Sequence, residues 1–203
     1  MTRSLWLWTL VGSLLWAAEP YWTPYAFKGT EHFKYTLVQL DAEGQRTTGT
    51  YVIDISRQGE KYRIHFEGNF GDNEGSFTTT TDNPEDIGGM LMFQTMMNPW
   101  LAPLTATLFA HFFGTFAFTG VLMGNWEVGT QGRFKDDNGV TVEYAIPDEC
   151  TYAGQTGRHL VVKENGQLRY ELCVAKEVPL PLYEKIVDED GGYLELTLVE
   201  YHP

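Results

Sequence analysis

The chain has 203 residues, with 27 acidic side chains against 14 basic ones, a formal charge of −13 and a pI near 4.7. Phosphate backbones and anionic lipid surfaces are gripped by concentrated Lys and Arg, so this balance argues against nucleic-acid binding and against electrostatic docking on an acidic membrane. The length suits one domain, and the acidity reads first as a soluble, self-repelling surface.

Residues 2–18 have the layout of a secretory leader: Arg3, then the apolar run Leu5–Trp16, then Ala17-Ala18 as small residues for cleavage. Cutting after Ala18 would leave bulky Trp16 at the minus-three position, and an uncleaved anchor is the alternative. No cysteine follows the apolar run, which leaves no site for lipoprotein acylation. The expectation is an exported protein of the periplasm or cell envelope, with 19–203 as its single domain.

After the leader, Glu19–Lys28 (EPYWTPYAFK) reads as an extended lead-in packed over a sheet edge. Period two then begins. Phe33, Tyr35 and Leu37 share a face, as do Tyr51, Ile53 and Ile55, and Tyr62, Ile64 and Phe66. The Gly-containing stretches 42–45 and 57–60 join these strands as hairpins, and Gly68–Gly75 reads as a longer turn before a strand at Ser76–Thr81.

At Asp82–Asp86 the period changes. Asn83 can cap a helix with Pro84 in its first turn, and Asn98-Pro99 repeats the signal. The spacing predicts helices over 84–97 and 99–113, the second ending near Gly114, with 116–123 a short helix or strand. This insert, 84–123, lies largely within Ile87–Trp126, a run without one Asp, Glu, Lys or Arg that holds five of the six methionines and six of the twelve phenylalanines. Leu101, Leu104, Leu108 and Phe112 line one face of the second helix, with Phe109 and Phe113 on others, so it is expected to be buried on several sides.

Leu101–Met123 is long enough to cross a bilayer. Pro99, Pro103, His111, four threonines and the lack of flanking Lys or Arg argue against a span, as would the separation of the strand blocks on either side of it. No stable membrane span is expected.

Period two returns at Trp126 and Val128 and continues to Lys135, then from Val140 to Ile146. Arg158–Glu164 and Gln167–Val174 are joined by Asn165-Gly166, the strongest hairpin signal in the chain. Pro179–Leu182 breaks the ladder before Tyr183–Val187, and Asp190–Gly192 turns the chain into a last strand carrying Leu194, Leu196 and Leu198 on one face. The fold class read from this is α+β, mainly antiparallel β: a curved, unclosed barrel of about ten strands with a two-helix apolar insert over its concave face.

Cys150 and Cys173 are the only cysteines. A two-residue turn at Asn165-Gly166 places Cys173 opposite Arg158, and Cys150 enters just before that strand, close enough to bridge across the turn at 153–157. In an oxidising compartment a disulfide is expected, the alternative being two buried thiols.

The stretches Cys150–Gln155 (CTYAGQ), Cys173-Val174-Ala175 through Pro179–Leu182, and Tyr193–Tyr201 (YLELTLVEY) resemble the C-terminal half of exported β-clam proteins. The insert leading into Gly124–Gly129 (GNWEVG) resembles their helical plug and re-entry strand. The likeness is to the LolA and LppX lipoprotein-carrier group and the periplasmic proteins related to it. It implies an unclosed barrel whose concave face, under helices, holds acyl chains. No ligand residue carries over, since the group's functional positions are apolar lining and its carrier arginine matches nothing in this chain.

No Gly-x-Ser-x-Gly, His-Glu-x-x-His or phosphate-binding glycine loop is present, and the five histidines are dispersed. A hydrolase would need His65 and acidic side chains gathered in one cleft. His65 and His159 read as solvated or cross-strand residues, and His111 as a hydrogen-bonded helix residue or a contact to a ligand head group. Asp136–Gly139 and Asp188–Gly191 read as hairpin turns, not calcium loops, because their glycine offset is wrong.

The resulting expectation is a non-catalytic binding protein for a lipid, a lipoprotein acyl chain or another hydrophobic ligand, with no cofactor and no metal. Met92, Met96, Trp100, Phe109, Phe113 and Phe116 are the candidate lining, since rotatable Met and broad aromatic surfaces suit variable apolar chains. The alternative is an envelope structural or protein-interaction module in which the same residues are plain core.

Overall fold

The computed structural model describes residues 21–83, 94–95, 97–108, 126–135 and 139–203. The expected leader, most of the expected insert, the expected turn at 136–139 except Gly139, and the candidate residues Met92, Met96, Phe109, Phe113 and Phe116 lie outside the described residues.

Eleven antiparallel strands build one sheet: β1 (Thr30–Leu40), β2 (Arg46–Gln58), β3 (Lys61–Phe70), β4 (Asn73–Thr81), β5 (Gln131–Lys135), β6 (Thr141–Ala145), β7 (Glu149–Tyr152), β8 (Gln155–Glu164), β9 (Gln167–Val174), β10 (Tyr183–Val187) and β11 (Tyr193–His202). Their order is β4-β3-β2-β1-β11-β10-β9-β8-β6-β5, so the sheet is unclosed and its centre is the pairing of the first strand with the last.

The alternation read from the sequence is what sets the two faces. Phe33, Tyr35 and Leu37 of β1, Tyr51, Ile53 and Ile55 of β2, and Ile64 and Phe66 of β3 are all buried on the inner face, with Leu196 and Leu198 of β11 beside them. A second apolar cluster gathers Trp22, Trp126, Val142, Leu160, Val162 and Leu172 at the β5–β9 end.

Several boundaries differ from expectation. β3 runs on to Phe70 and β4 starts at Asn73, so the connection is the two-residue turn Gly71-Asp72 and not a long turn over 68–75. Gly68 and Gly75 pair with each other inside the ladder, where glycine looks like turn chemistry in sequence. The lead-in packs into the core and not over an edge: Trp22, Tyr25 and Phe27 are buried. Trp22 Nε1 donates to the Val178 carbonyl at 2.7 Å, and the Tyr25 amide to that of Pro179 at 2.9 Å, so the lead-in runs along the β9–β10 connection.

The strand missing from the expected ten is β7. It continues β6 along the same flank of β8 after the break at Ile146-Pro147-Asp148, where proline has no amide to give the ladder. The β8–β9 register also differs. It follows the Asn165-Gly166 turn for two pairs, then shifts between Val162 and Lys163, so that Cys173 faces His159 and Val174 faces Arg158. A single extra residue, Arg169, sits in the shift.

Cys150 and Cys173 form a disulfide, Cα to Cα 6.2 Å. Cys150 pairs with Gly157 on β8, and β8 separates β7 from β9, so the β7–β8 hairpin must curl over the outer face to bring the two sulfurs together. Gly157 permits the curl: a Cβ there would lie far inside contact distance of the Val174 carbonyl. Tyr152 at the hairpin end stacks on Tyr183 of β10, ring centroids 5.1 Å apart, on the same outer face.

Within the insert, the described helical residues are 94, 95 and 97, a 3-10 turn at Pro99–Leu101, and 102–108. Pro99 occupies the first turn as expected, but Asn98 does not cap with its side chain; it donates back to Gln94, to the carbonyl at 3.2 Å and to Oε1 at 3.1 Å. Among the described residues no helix is long and apolar enough to cross a membrane.

Candidate apolar binding site

The helical segment 99–108 lies on the inner face and turns Trp100, Leu101, Leu104 and Leu108 into the core. This is the face that spacing of three and four residues predicts. Each end is held by a buried phenol. Tyr51 Oη donates to the Trp100 carbonyl at 2.6 Å, and Tyr25 Oη donates to the Leu108 carbonyl at 3.0 Å.

Trp100 is the one candidate lining residue within the described chain. Its indole is 4 % exposed, stacks on Tyr51 with centroids 6.0 Å apart, and lies over Gly75 of β4. A Cβ at position 75 would strike the indole nitrogen, so the glycine creates the seat. Trp100 therefore anchors the start of the segment.

Between the segment and the sheet is an apolar seam. Ile53, Ile55, Ile64 and Phe66 form its floor, with Phe27 and Leu108 above, and it closes on a cavity of about 10 Å³, about the room for one water. The described side chains thus meet almost completely.

A polar network sits further along the same face. Glu184 of β10 is fully buried between Leu172 and Leu196, and Tyr170 Oη donates to its Oε1 at 2.8 Å. Tyr35, also fully buried, donates to the Pro181 carbonyl at 2.8 Å. Burial first, and the Glu184 carboxylate second, push the Tyr25, Tyr35 and Tyr170 phenols above their ordinary range, so they act as donors at any physiological pH. Glu31 of β1 is a second buried carboxylate, accepting from the Lys28 and Gly29 amides at 2.9 and 3.4 Å, and burial raises its pKa against those bonds. Sequence reading did not single out Glu184. Its signal was phase: Leu182, Glu184 and Ile186 alternate on one face, and that face is apolar in β11.

His159 and His65 each contact a neighbouring segment. His159 Nδ1 lies 2.9 Å from Asp148 and His65 Nδ1 lies 2.9 Å from the Thr78 hydroxyl. His65 also has Glu67 at 3.7 Å on the outer face. Among the described residues no group of His, Cys, Asp and Glu could hold a metal ion. Asp188–Gly192 is the hairpin loop joining β10 and β11, closed by the Asp188 amide on the Gly192 carbonyl at 2.9 Å.

No protein-family model matches the chain, and no curated protein does. Solved structures that it is similar to include MucB, at 13% identity and a TM-score of 0.43 over 86% of this chain and 53% of that one. MucB in complex with MucA(peri) follows at 13% identity and 0.41, covering 86% of this chain and 50% of that one. An outer membrane lipoprotein-sorting protein domain from Vibrio parahaemolyticus matches at 13% and 0.30, over 87% and 86%. The chain spans about half the length of the MucB chains.

Proposed function

We propose that this protein is an exported, non-catalytic binder that takes an acyl chain, free or lipoprotein-borne, between its inner sheet face and the 84–123 insert. In this reading 1–18 is a leader, 19–203 is one domain, and the two insert helices open and close over the bound chain. The observation that carries it is the seam: the described side chains that line it, from Ile53, Ile55, Ile64 and Phe66 to Phe27 and Leu108, are apolar or aromatic. A segment seated mainly by dispersion and apolar burial, with phenol hydrogen bonds at its two ends, can be exchanged for a ligand of the same chemistry. At about 10 Å³ the closed seam has no room for a chain, so uptake requires the segment to lift. Trp100 then works as the hinge-side anchor, and Met92, Met96, Phe109, Phe113 and Phe116 supply adaptable lining.

The test is lipid extraction and native mass spectrometry of the exported protein, with titration of a fluorescent fatty acid. A co-purifying acyl species, or saturable probe uptake quenched by the Trp100 indole and lost in Leu104→Glu, supports carriage. A lipid-free protein that rejects the probe overturns it in favour of a module with a plain core.

A further inference from the structure

Among the described residues the sheet ends on two edge strands, β4 and β5, and they differ. β5 is five residues long and carries Arg133 and Lys135, the short charged form in which natural sheets blunt an edge. β4 is nine residues long, and from Gly75 to Thr81 (GSFTTTT) it has no charge and no proline. Among the described residues its single strand partner is β3.

The turn fixes which main-chain groups face outward. Gly71 has φ +57° while Asp72 has no positive φ, the pattern of a two-residue type II′ hairpin, which makes Phe70 and Asn73 a doubly hydrogen-bonded pair. Alternation from there turns the main chain of Gly75, Phe77, Thr79 and Thr81 toward β3. Glu74, Ser76, Thr78 and Thr80 point their N–H and C=O groups away from the sheet.

Beside this edge the outer face is a groove of about 560 Å³, with Glu74 and Ser76 of β4 at one side, Glu67 and Asn69 of β3 in the middle, and Thr50 and Val52 of β2 beyond. No basic side chain lines it. Register brings Glu67 opposite Ser76 and Asn69 opposite Glu74, so the two carboxylates lie on neighbouring strands of one face. A strand laid along β4 would send alternate side chains over this face.

We propose that β4 is a strand-addition site for an extended basic segment of a partner protein. The segment hydrogen-bonds Ser76, Thr78 and Thr80 through its main chain and places Lys or Arg at alternate positions over Glu67 and Glu74. Main-chain pairing supplies affinity and the acidic groove supplies selection by charge, the division of labour found in strand-addition complexes. A chain of net charge −13 repels a second copy of itself, which favours a basic partner over self-pairing.

The test uses the intact protein with an acetylated eight-residue peptide of alternating valine and lysine, and a valine–glutamate peptide as control. Amide exchange followed by NMR should show Ser76 and Thr78 exposed in the free protein and slowed about tenfold or more by the lysine peptide alone. Proline is accepted on an edge where the N–H faces solvent, so Ser76→Pro should fold and lose about tenfold or more in affinity. Glu67→Gln with Glu74→Gln, both solvent-side changes, should weaken binding and flatten its salt dependence. Ser76 and Thr78 amides already protected in the free protein would overturn the proposal, as would equal binding of the two peptides. Self-association through β4, abolished by Ser76→Pro, would replace the basic partner with a second copy. These readouts are independent of lipid uptake.

Discussion

Tyr170 and Glu184 are joined by a hydrogen bond of 2.8 Å across β9 and β10, phenol to carboxylate, with no exposed surface on the glutamate. A hydrogen bond to a charged acceptor contributes more than a neutral one, and its loss inside a core leaves the desolvation cost standing. Tyr170→Phe is therefore expected to lower stability by about 2 kcal/mol, and Glu184→Gln by less, since the amide oxygen still accepts. Urea unfolding of the two variants measures both; a neutral Tyr170→Phe would show that the bond is not formed.

The disulfide and the glycine bend act on the same hairpin. Replacing Cys150 and Cys173 by Ala together should reduce stability by about 3 kcal/mol, the chain-entropy value for a loop of this length. Reductant should do the same to the parent protein and nothing to the double variant. Denaturant midpoints with and without reductant decide it.

Gly157→Ala is expected to be costlier than Gly166→Ala, although Gly166 has a positive φ of +81°. A Cβ at 157 meets main chain on β9, which cannot swing aside, whereas a Cβ at 166 meets nothing. We expect about 3 kcal/mol for the first against about 1 for the second, from overpacking and from left-handed strain respectively. A reversed order of melting temperatures would place the bend elsewhere.

Gly75→Ala should unseat Trp100. The added methyl strikes the indole that stacks on Tyr51, so tryptophan emission should shift to the red with a stability loss of about 1–3 kcal/mol. Unchanged emission would mean that the seat tolerates the methyl and that Gly75 has another role.

Alkaline pH gives the last test. Burial, aided by the Glu31 and Glu177 carboxylates, pushes the Tyr201 phenol up to about 12, and burial also raises those of Tyr25, Tyr35, Tyr51 and Tyr170. Between about pH 10, where an unfolded tyrosine titrates, and these raised values the native state holds more protons than the unfolded one. These groups leave stability unchanged below about pH 10 and reduce it as pH rises from there. The tyrosinate absorbance of these five buried phenols should therefore appear together with unfolding; their ionisation in a still-folded chain would contradict it.

Period-two alternation made most of the sheet legible, because half-buried strands print their faces into the residues: Phe33, Tyr35 and Leu37 could be placed inside before any register was known. Three features were hidden for physical reasons. β7 has only four residues, too few for alternation to show, although the turn that follows it was legible at 153–157. The Arg169 bulge lies where β9 is half-buried at every position from Leu168 to Glu171, so one extra residue breaks no alternation. Glu184 reads as an ordinary strand glutamate until its neighbours are known to be leucines. Of the candidate lining, only Trp100 falls within the described residues, and its anchoring depends on a glycine 25 positions earlier that no local pattern connects to it.

The pairing of β1 with β11 also governs when this protein can fold. His32 sits opposite His202, so the central seam of the sheet joins the first strand to the last. The β1–β4 meander can assemble early from local pairings. It then waits, with β1 as an open edge, until β11 docks on it. Contacts that far apart in sequence form slowly. Deleting β11 would thus split the sheet between β1 and β10, and folding should be limited by the docking of β11.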